Sequence, residues 1–262
     1  MKKMKRVGTL VATVALAAFA TVSAVAKPSE LDVIKKTGTL RVGIKGDIPH
    51  FSYLNPETKQ YEGFEIDLAK EVSKKIFGSP DRIEFTPVTA KNRGPFLKND
   101  KIDIVIATFT VTDERKNEYD FSDIYYTDAV GIMVKKASGI TSFKGLENKT
   151  VGVSQGSLTK TTIKNAAIKE GILVKTQDYA SYPQLKAALD SGEIDAFSVD
   201  QAILLGYVDD STIILPERYD EQQYAVAMKK DNASVKKVVN EVIRELIKSG
   251  KLDELLKKNG LK

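Results

Sequence analysis

Threonines at 108, 110 and 112 stand two residues apart and lead directly to Arg115. If the chain stays extended there, the three hydroxyls share one face. The planar guanidinium that follows suits a carboxylate, which it can grip through two parallel hydrogen bonds. The same stretch, TDER at 112–115, also reads as a helix start with acids in its first turn, and a helix N-terminus itself attracts an anion. A second candidate is Asp200, directly after the apolar run AFSV. It can accept hydrogen bonds from an ammonium group, or cap a helix over 201–207. Lys45 ends another apolar run, Arg93 opens a short helix in KNRGP, and Tyr182 opens the corresponding helix of the second half; each is also readable as an ordinary surface residue. The loop 155–159 adds backbone N–H groups and the Thr159 hydroxyl.

Other chemistries find few residues to use. His50 is the only histidine, in a Pro-His-Phe loop context, and a Ser-His-Asp triad would have to employ it. There is no cysteine, so thiol chemistry and disulfides are excluded. No cluster of His and carboxylates has metal-ligand spacing, and no phosphate-binding glycine loop follows a strand. Neither a metal nor a cofactor is expected. Tyr125-Tyr126 reads as packing on a crossover strand rather than as a stacking platform for bases.

The elements that must position the candidates alternate. Strands are expected at 39–44, 82–88 and 102–108, with helices at 64–76 and 92–98. The pattern restarts with strands at 150–153, 174–177 and 194–199 and helices within 158–171 and at 182–189. This order argues for open α/β sheets, whose ligands bind beyond the carboxyl ends of the strands. The halves also match in sequence: VGIK at 42–45 with VGVS at 151–154, and KIDIVIAT at 101–108 with EIDAFSVD at 193–200. Two similar lobes are expected. From Val235 onward, apolar residues recur at helical spacing, with a break at Ser249-Gly250.

The first 26 residues read as a secretory signal peptide. Lys2, Lys3, Lys5 and Arg6 precede an apolar run, and Ala24-Val25-Ala26 offers a cleavage site. The formal net charge is +5, but cleavage there leaves 36 Lys and Arg against 35 Asp and Glu. A nearly neutral protein has no bulk field to attract nucleic acid or an anionic membrane. Lys27-Pro28 follows the site where a lipid-anchored protein would carry a cysteine. A soluble periplasmic protein is expected, with no nucleic acid partner.

These residues also carry a resemblance. GFEIDLAKEVSKKI at 63–76, ATFTVTDERK at 107–116, FSDIYY at 121–126, GVSQGS at 152–157 and IDAFSVD resemble the family 3 solute-binding proteins of polar amino acid ABC transporters. The likeness spans the chain beyond the signal peptide and is nearest to the branch that binds aspartate and glutamate. Ser73 departs from the pattern, where a small apolar residue is usual. The resemblance implies a two-lobed type II periplasmic-binding-protein fold of two open α/β sheets joined by two hinge strands, near 129–134 and 223–228. Lobe 1 would be 27–129 with 223–262, and lobe 2 would be 130–222.

It further implies roles. Arg115 would clamp the ligand α-carboxylate with Thr110 and groups near Thr108 and Thr159, and Asp200 would receive the α-ammonium. Lys45, Arg93 and Tyr182 would form the side-chain pocket. Family members that bind basic amino acids tend to carry an acid near Lys45. Counting Lys45, Arg93 and Arg115 against Asp200 gives +3 and −1, which favours an acidic ligand because buried like charges are costly. The expected partners are aspartate or glutamate and an inner-membrane ABC permease, with the protein itself a monomer and not an enzyme. A dehydratase-like enzyme on the same fold, or an adhesin or sensor role beside binding, are the alternatives.

Overall fold

Two aspartates anchor the two halves of the molecule in the same way. Asp103 Oδ2 accepts the Arg41 N–H at 2.8 Å, and the Asp103 N–H returns a bond to Arg41 O. Asp195 repeats this with Thr150, at 2.9 Å in both directions. The isoleucine before each aspartate lies over the glycine of the neighbouring strand. A Cβ on Gly43 would stand 2.5 Å from Ile102 Cδ1, and one on Gly152 would stand 2.4 Å from Ile194 Cδ1. The matching Val-Gly and Ile-Asp pairs of the sequence are therefore one packing device used twice.

The computed structural model describes residues 28–262, so the expected signal peptide at 1–26 lies outside the described residues. In chain order the elements begin α1 (Glu30–Thr37), β1 (Leu40–Ile44), β2 (Asp47–Ile48), β3 (Ser52–Leu54), β4 (Tyr61–Glu62), α2 (Phe64–Phe77), β5 (Ile83–Pro87), α3 (Arg93–Lys98), β6 (Ile104–Val105), α4 (Asp113–Lys116) and β7 (Tyr119–Lys135). They continue β8 (Thr150–Ser154), α5 (Thr159–Glu170), β9 (Lys175–Tyr179), α6 (Tyr182–Ser191), β10 (Ala196–Asp200), α7 (Gln201–Leu205), β11 (Thr212–Ile214), β12 (Tyr219–Lys229), α8 (Ala233–Ser249) and α9 (Lys251–Lys258).

The fold is two-lobed α/β with a mixed sheet. The strand order is β5-β1-β6-β12-β7-β10-β8-β9, with β11 also on β7. The parallel strands of the first half and those of the second lie on opposite sides of the antiparallel β12/β7 pair. Those crossing strands are longer than the sequence suggests, and hydrogen bonding runs through them from one half to the other. Residues 130–134 of β7 pair with β10, whereas Ala227 and Met228 of β12 pair with β6.

Ser73 is buried without cost to the helix, because its hydroxyl donates to Ser79 O at 2.9 Å. Helix α8 buries Val235, Val239, Val242, Ile243 and Leu246 and stops at Gly250, which is left-handed. Its Ile247, which continues the helical spacing of apolar residues from Ile243, is half exposed. The strand expected over 102–108 shrinks to Ile104–Val105. The chain bends out of the sheet beyond Ile106, and Thr108 then adopts φ +46°, a left-handed conformation unusual for a β-branched residue. The three threonines consequently do not lie along one extended strand.

Candidate functional site

Glu65 explains why Thr108 tolerates that conformation. It sits in the first turn of α2, wholly buried between Phe64 and Ile66. Its Oε1 accepts the Thr108 N–H and the Tyr125 hydroxyl, both at 2.6 Å, and its Oε2 accepts the Ser52 hydroxyl at 3.2 Å. Burial raises its pKa, while these donors and Arg93 oppose the shift. Thr108 O, turned by this arrangement, accepts Arg93 Nη1 at 3.1 Å beside a further bond to Ala107 O. Arg93 is fixed from its other side by α3, whose start is closed by reciprocal bonds between Thr89 and Asn92. Its guanidinium lies over the Phe109 ring at 4.1 Å.

Arg115 comes to the same ring, at 4.7 Å. The stretch 112–115 does begin a helix, the four-residue α4, and the Thr112 hydroxyl accepts the Arg115 N–H at 3.1 Å. The guanidinium folds back so that Nη1 donates to Thr110 O at 2.8 Å. Burial lowers its pKa to about 9, with Arg93 adding to the shift and Asp200 opposing it. The Thr110 hydroxyl donates to Gln222 Oε1 at 2.8 Å.

Across the cleft, Asp200 stands at the N-cap position of α7 but does not cap it. That role belongs to Asp128, whose Oδ2 accepts the Ala202 N–H at 2.9 Å. Asp200 is left to accept the Tyr224 hydroxyl. Burial pushes its carboxyl up to about 7, with Asp128 adding to the rise and Tyr224, Arg93 and Arg115 opposing it. Tyr182 is buried at the first turn of α6, capped by Ser181. Thr159 opens α5 just after Gly156, whose φ of +82° and approach to Lys91 leave no room for a side chain: a Cβ would stand 2.7 Å from Lys91 Cα.

Seven of the eight residues singled out from sequence, Arg93, Thr108, Thr110, Arg115, Thr159, Tyr182 and Asp200, line one cavity between the halves. Lys45 does not line it with them. Its ammonium lies behind Tyr182, 4.5 Å from the ring centre, and 3.4 Å from Asp47 Oδ1. Burial lowers its pKa, and Asp47 is the largest opposing influence. The sequence reading missed Gln222, which lines the cavity, and Glu65, Asp47, Asp128 and Tyr224, which hold its walls. Only Glu65 carried a signal: an acid between two apolar residues that both face the core. Asp47, Glu65 and Asp128 add carboxyls that the +3 and −1 balance left out, which corrects it.

Residues 40–262 match the bacterial extracellular solute-binding proteins, family 3. The chain belongs to that family. It is 34% identical over 235 residues to the ABC transporter glutamine-binding protein GlnH of Bacillus subtilis, covering 88% of this chain and 85% of the relative. To the arginine-binding extracellular protein ArtP of the same organism it is 33% identical over 224 residues, with 84% and 85% covered. Among solved structures, the ancestral amino acid-binding protein AncCDT-1, a precursor of cyclohexadienyl dehydratase, superposes with a TM-score of 0.78 at 33% identity, over 88% of this chain and 99% of that one. Membership implies an amino acid ligand and an ABC transporter partner. Family members are extracellular or periplasmic, and among the described residues no helix is long and apolar enough to cross a membrane. No metal-binding group of His or carboxylates occurs among the described residues.

Proposed function

We propose that this protein captures aspartate or glutamate between its lobes and presents it to the permease of an ABC transporter. Arg115, with Thr110 and the groups around Thr108 and Thr159, takes the α-carboxylate. Asp200 takes the α-ammonium, and Arg93 with Tyr182, backed by Lys45, faces the side chain. The observation that carries the reading is a surplus of buried donors. One arginine suffices for the carboxylate that all amino acids share, yet Arg93 lines the same cavity with its Nε buried and without a hydrogen-bond partner among the described residues, and the Lys45 ammonium adds a buried positive charge behind Tyr182. A carboxylate offers only acceptors to such donors, whereas an amide presents its own NH2 to one of them.

One observation favours a second reading, a neutral amide such as glutamine. Glu65 and Asp47 offset Arg93 and Lys45, so the surrounding charges balance without a ligand carboxylate. Calorimetry at pH 7.5 with glutamate, aspartate, glutamine, asparagine, arginine and lysine separates the two. The expected result is that one acidic ligand binds at least about tenfold tighter than its amide, a difference of about 1.4 kcal/mol. Glutamine or arginine as the tightest ligand would sink the acidic reading. The protein is read as a binder rather than a catalyst because each cleft carboxyl is already tied to a structural partner. Export through a cleaved signal, without a lipid anchor, and a monomeric state belong to the same proposal.

A further inference from the structure

Asp47 joins the two walls of the cleft through both its side chain and its backbone. Its Oδ1 faces Lys45 Nζ at 3.4 Å. This is close enough for a strong Coulombic attraction but without a hydrogen bond, and both atoms are buried with no hydrogen-bond partner among the described residues. Its Oδ2 accepts the backbone N–H of Tyr182, at 3.4 Å, at the start of the ten-residue helix α6 on the opposite lobe. Its carbonyl oxygen accepts the Tyr207 hydroxyl, also from that lobe. Tyr182 is in turn the ring that covers Lys45. Two residues on, Pro49 packs against Gly206 so closely that a Cβ there would lie 2.9 Å from Pro49 Cβ.

We propose that Asp47 sets how strongly the site discriminates a ligand carboxylate from an amide, acting as the counter-ion of Lys45 from a position fastened to the opposite lobe. The inference rests on the assignment of Lys45 to the side-chain end of the cleft. A lysine ammonium whose side chain is only 1% exposed needs a nearby negative charge. While Asp47 supplies it, a neutral side chain can be accepted at little penalty. Without Asp47, Lys45 is offset only through the field of a carboxylate that the ligand brings to the cavity side of Tyr182. Asp47 therefore moderates the preference for acids. Its second carboxylate oxygen, held by the α6 N–H, makes this compensation greatest when the lobes are together.

Two substitutions separate the two jobs. Asp47→Asn retains an oxygen for the Tyr182 N–H but removes the charge facing Lys45, whereas Asp47→Ala removes both. Calorimetry with glutamate and glutamine on the full-length exported protein reads the ratio of their affinities. In Asp47→Asn the glutamate-to-glutamine ratio is expected to rise about tenfold, mainly through weaker glutamine binding. In Asp47→Ala both ligands should weaken further by a similar factor. A Lys45→Met background should abolish the effect of Asp47→Asn on the ratio, completing a double-mutant cycle. A ratio within twofold of the parent in Asp47→Asn, or an equal rise in the Lys45→Met background, overturns the proposal. The parent's own preference tests the acidic-ligand reading separately: a parent that prefers glutamine refutes that reading, while the direction of the ratio change still decides the role of Asp47.

Discussion

Arg93 and Arg115 place their guanidinium groups over one aromatic ring, that of Phe109, at 4.1 and 4.7 Å. Two cations gathered at one ring repel each other, and each opposes the other's charge in a poorly solvated site. The ring's electron-rich face offsets part of that repulsion. An anionic ligand between them relieves the rest, which is why the pair is better suited to a carboxylate than either arginine alone.

Removing Arg115 tests this directly. Arg115→Ala is expected to weaken every amino acid by about 2–5 kcal/mol, because the lost partner belongs to the carboxylate they share. Arg115→Lys should recover little, since a point charge cannot form two parallel hydrogen bonds. Calorimetry with the best ligand, beside an unchanged circular dichroism spectrum, gives the answer. A loss under about 1 kcal/mol would place Arg115 among ordinary surface charges.

Asp200 should make binding depend on pH. Its folded carboxyl is pushed up to about 7 from 3.8, chiefly by burial. The ligand-free fold therefore binds a proton that the unfolded chain releases, and this contribution to stability is complete below about pH 4 and lost as pH rises through 7. A ligand ammonium favours the ionised carboxylate instead. Binding below pH 7 must then expel the proton, and affinity should increase on the order of tenfold from pH 5.5 to pH 8. Tyr224→Phe removes a hydrogen bond that favours the ionised form and should move the midpoint upward. Affinity that stays flat over this range excludes Asp200 as the ammonium partner.

Glu65 should govern stability more than contact with ligand. Glu65→Ala strands the Thr108 N–H and two hydroxyls in the interior, and is expected to cost about 3 kcal/mol in urea denaturation. Glu65→Gln keeps an oxygen for Thr108 and Tyr125 and should cost less than half as much. Equal losses in the two variants would mean that the charge beside Arg93, rather than the hydrogen bonds, is what the fold requires.

The alternation of strands and helices was legible because each element carried its own periodicity and stop signals. The duplication was legible because Gly43 with Ile102 and Gly152 with Ile194 impose the same residue types at matching places. Lys45, Arg93 and Tyr182 stood out as polar residues at element ends. Their supporting partners did not, since Asp128, Gln222 and Tyr224 meet the site only through contacts between distant segments, and Asp47 reaches Tyr182 and Tyr207 across the cleft. Thr108 shows the limit most clearly. An apolar run that reads as a seven-residue strand keeps only Ile104 and Val105 in the ladder, and a glutamate more than forty positions away binds the backbone at its far end.

Val130 and Tyr219 are paired neighbours on the two crossing strands. Everything from 131 to 218 thus departs and returns through adjacent antiparallel chain segments. Such a stretch is a cassette: it can be excised from the gene without dividing any of the strands β1 to β6. The cut ends, already side by side, need only a tight turn to be rejoined.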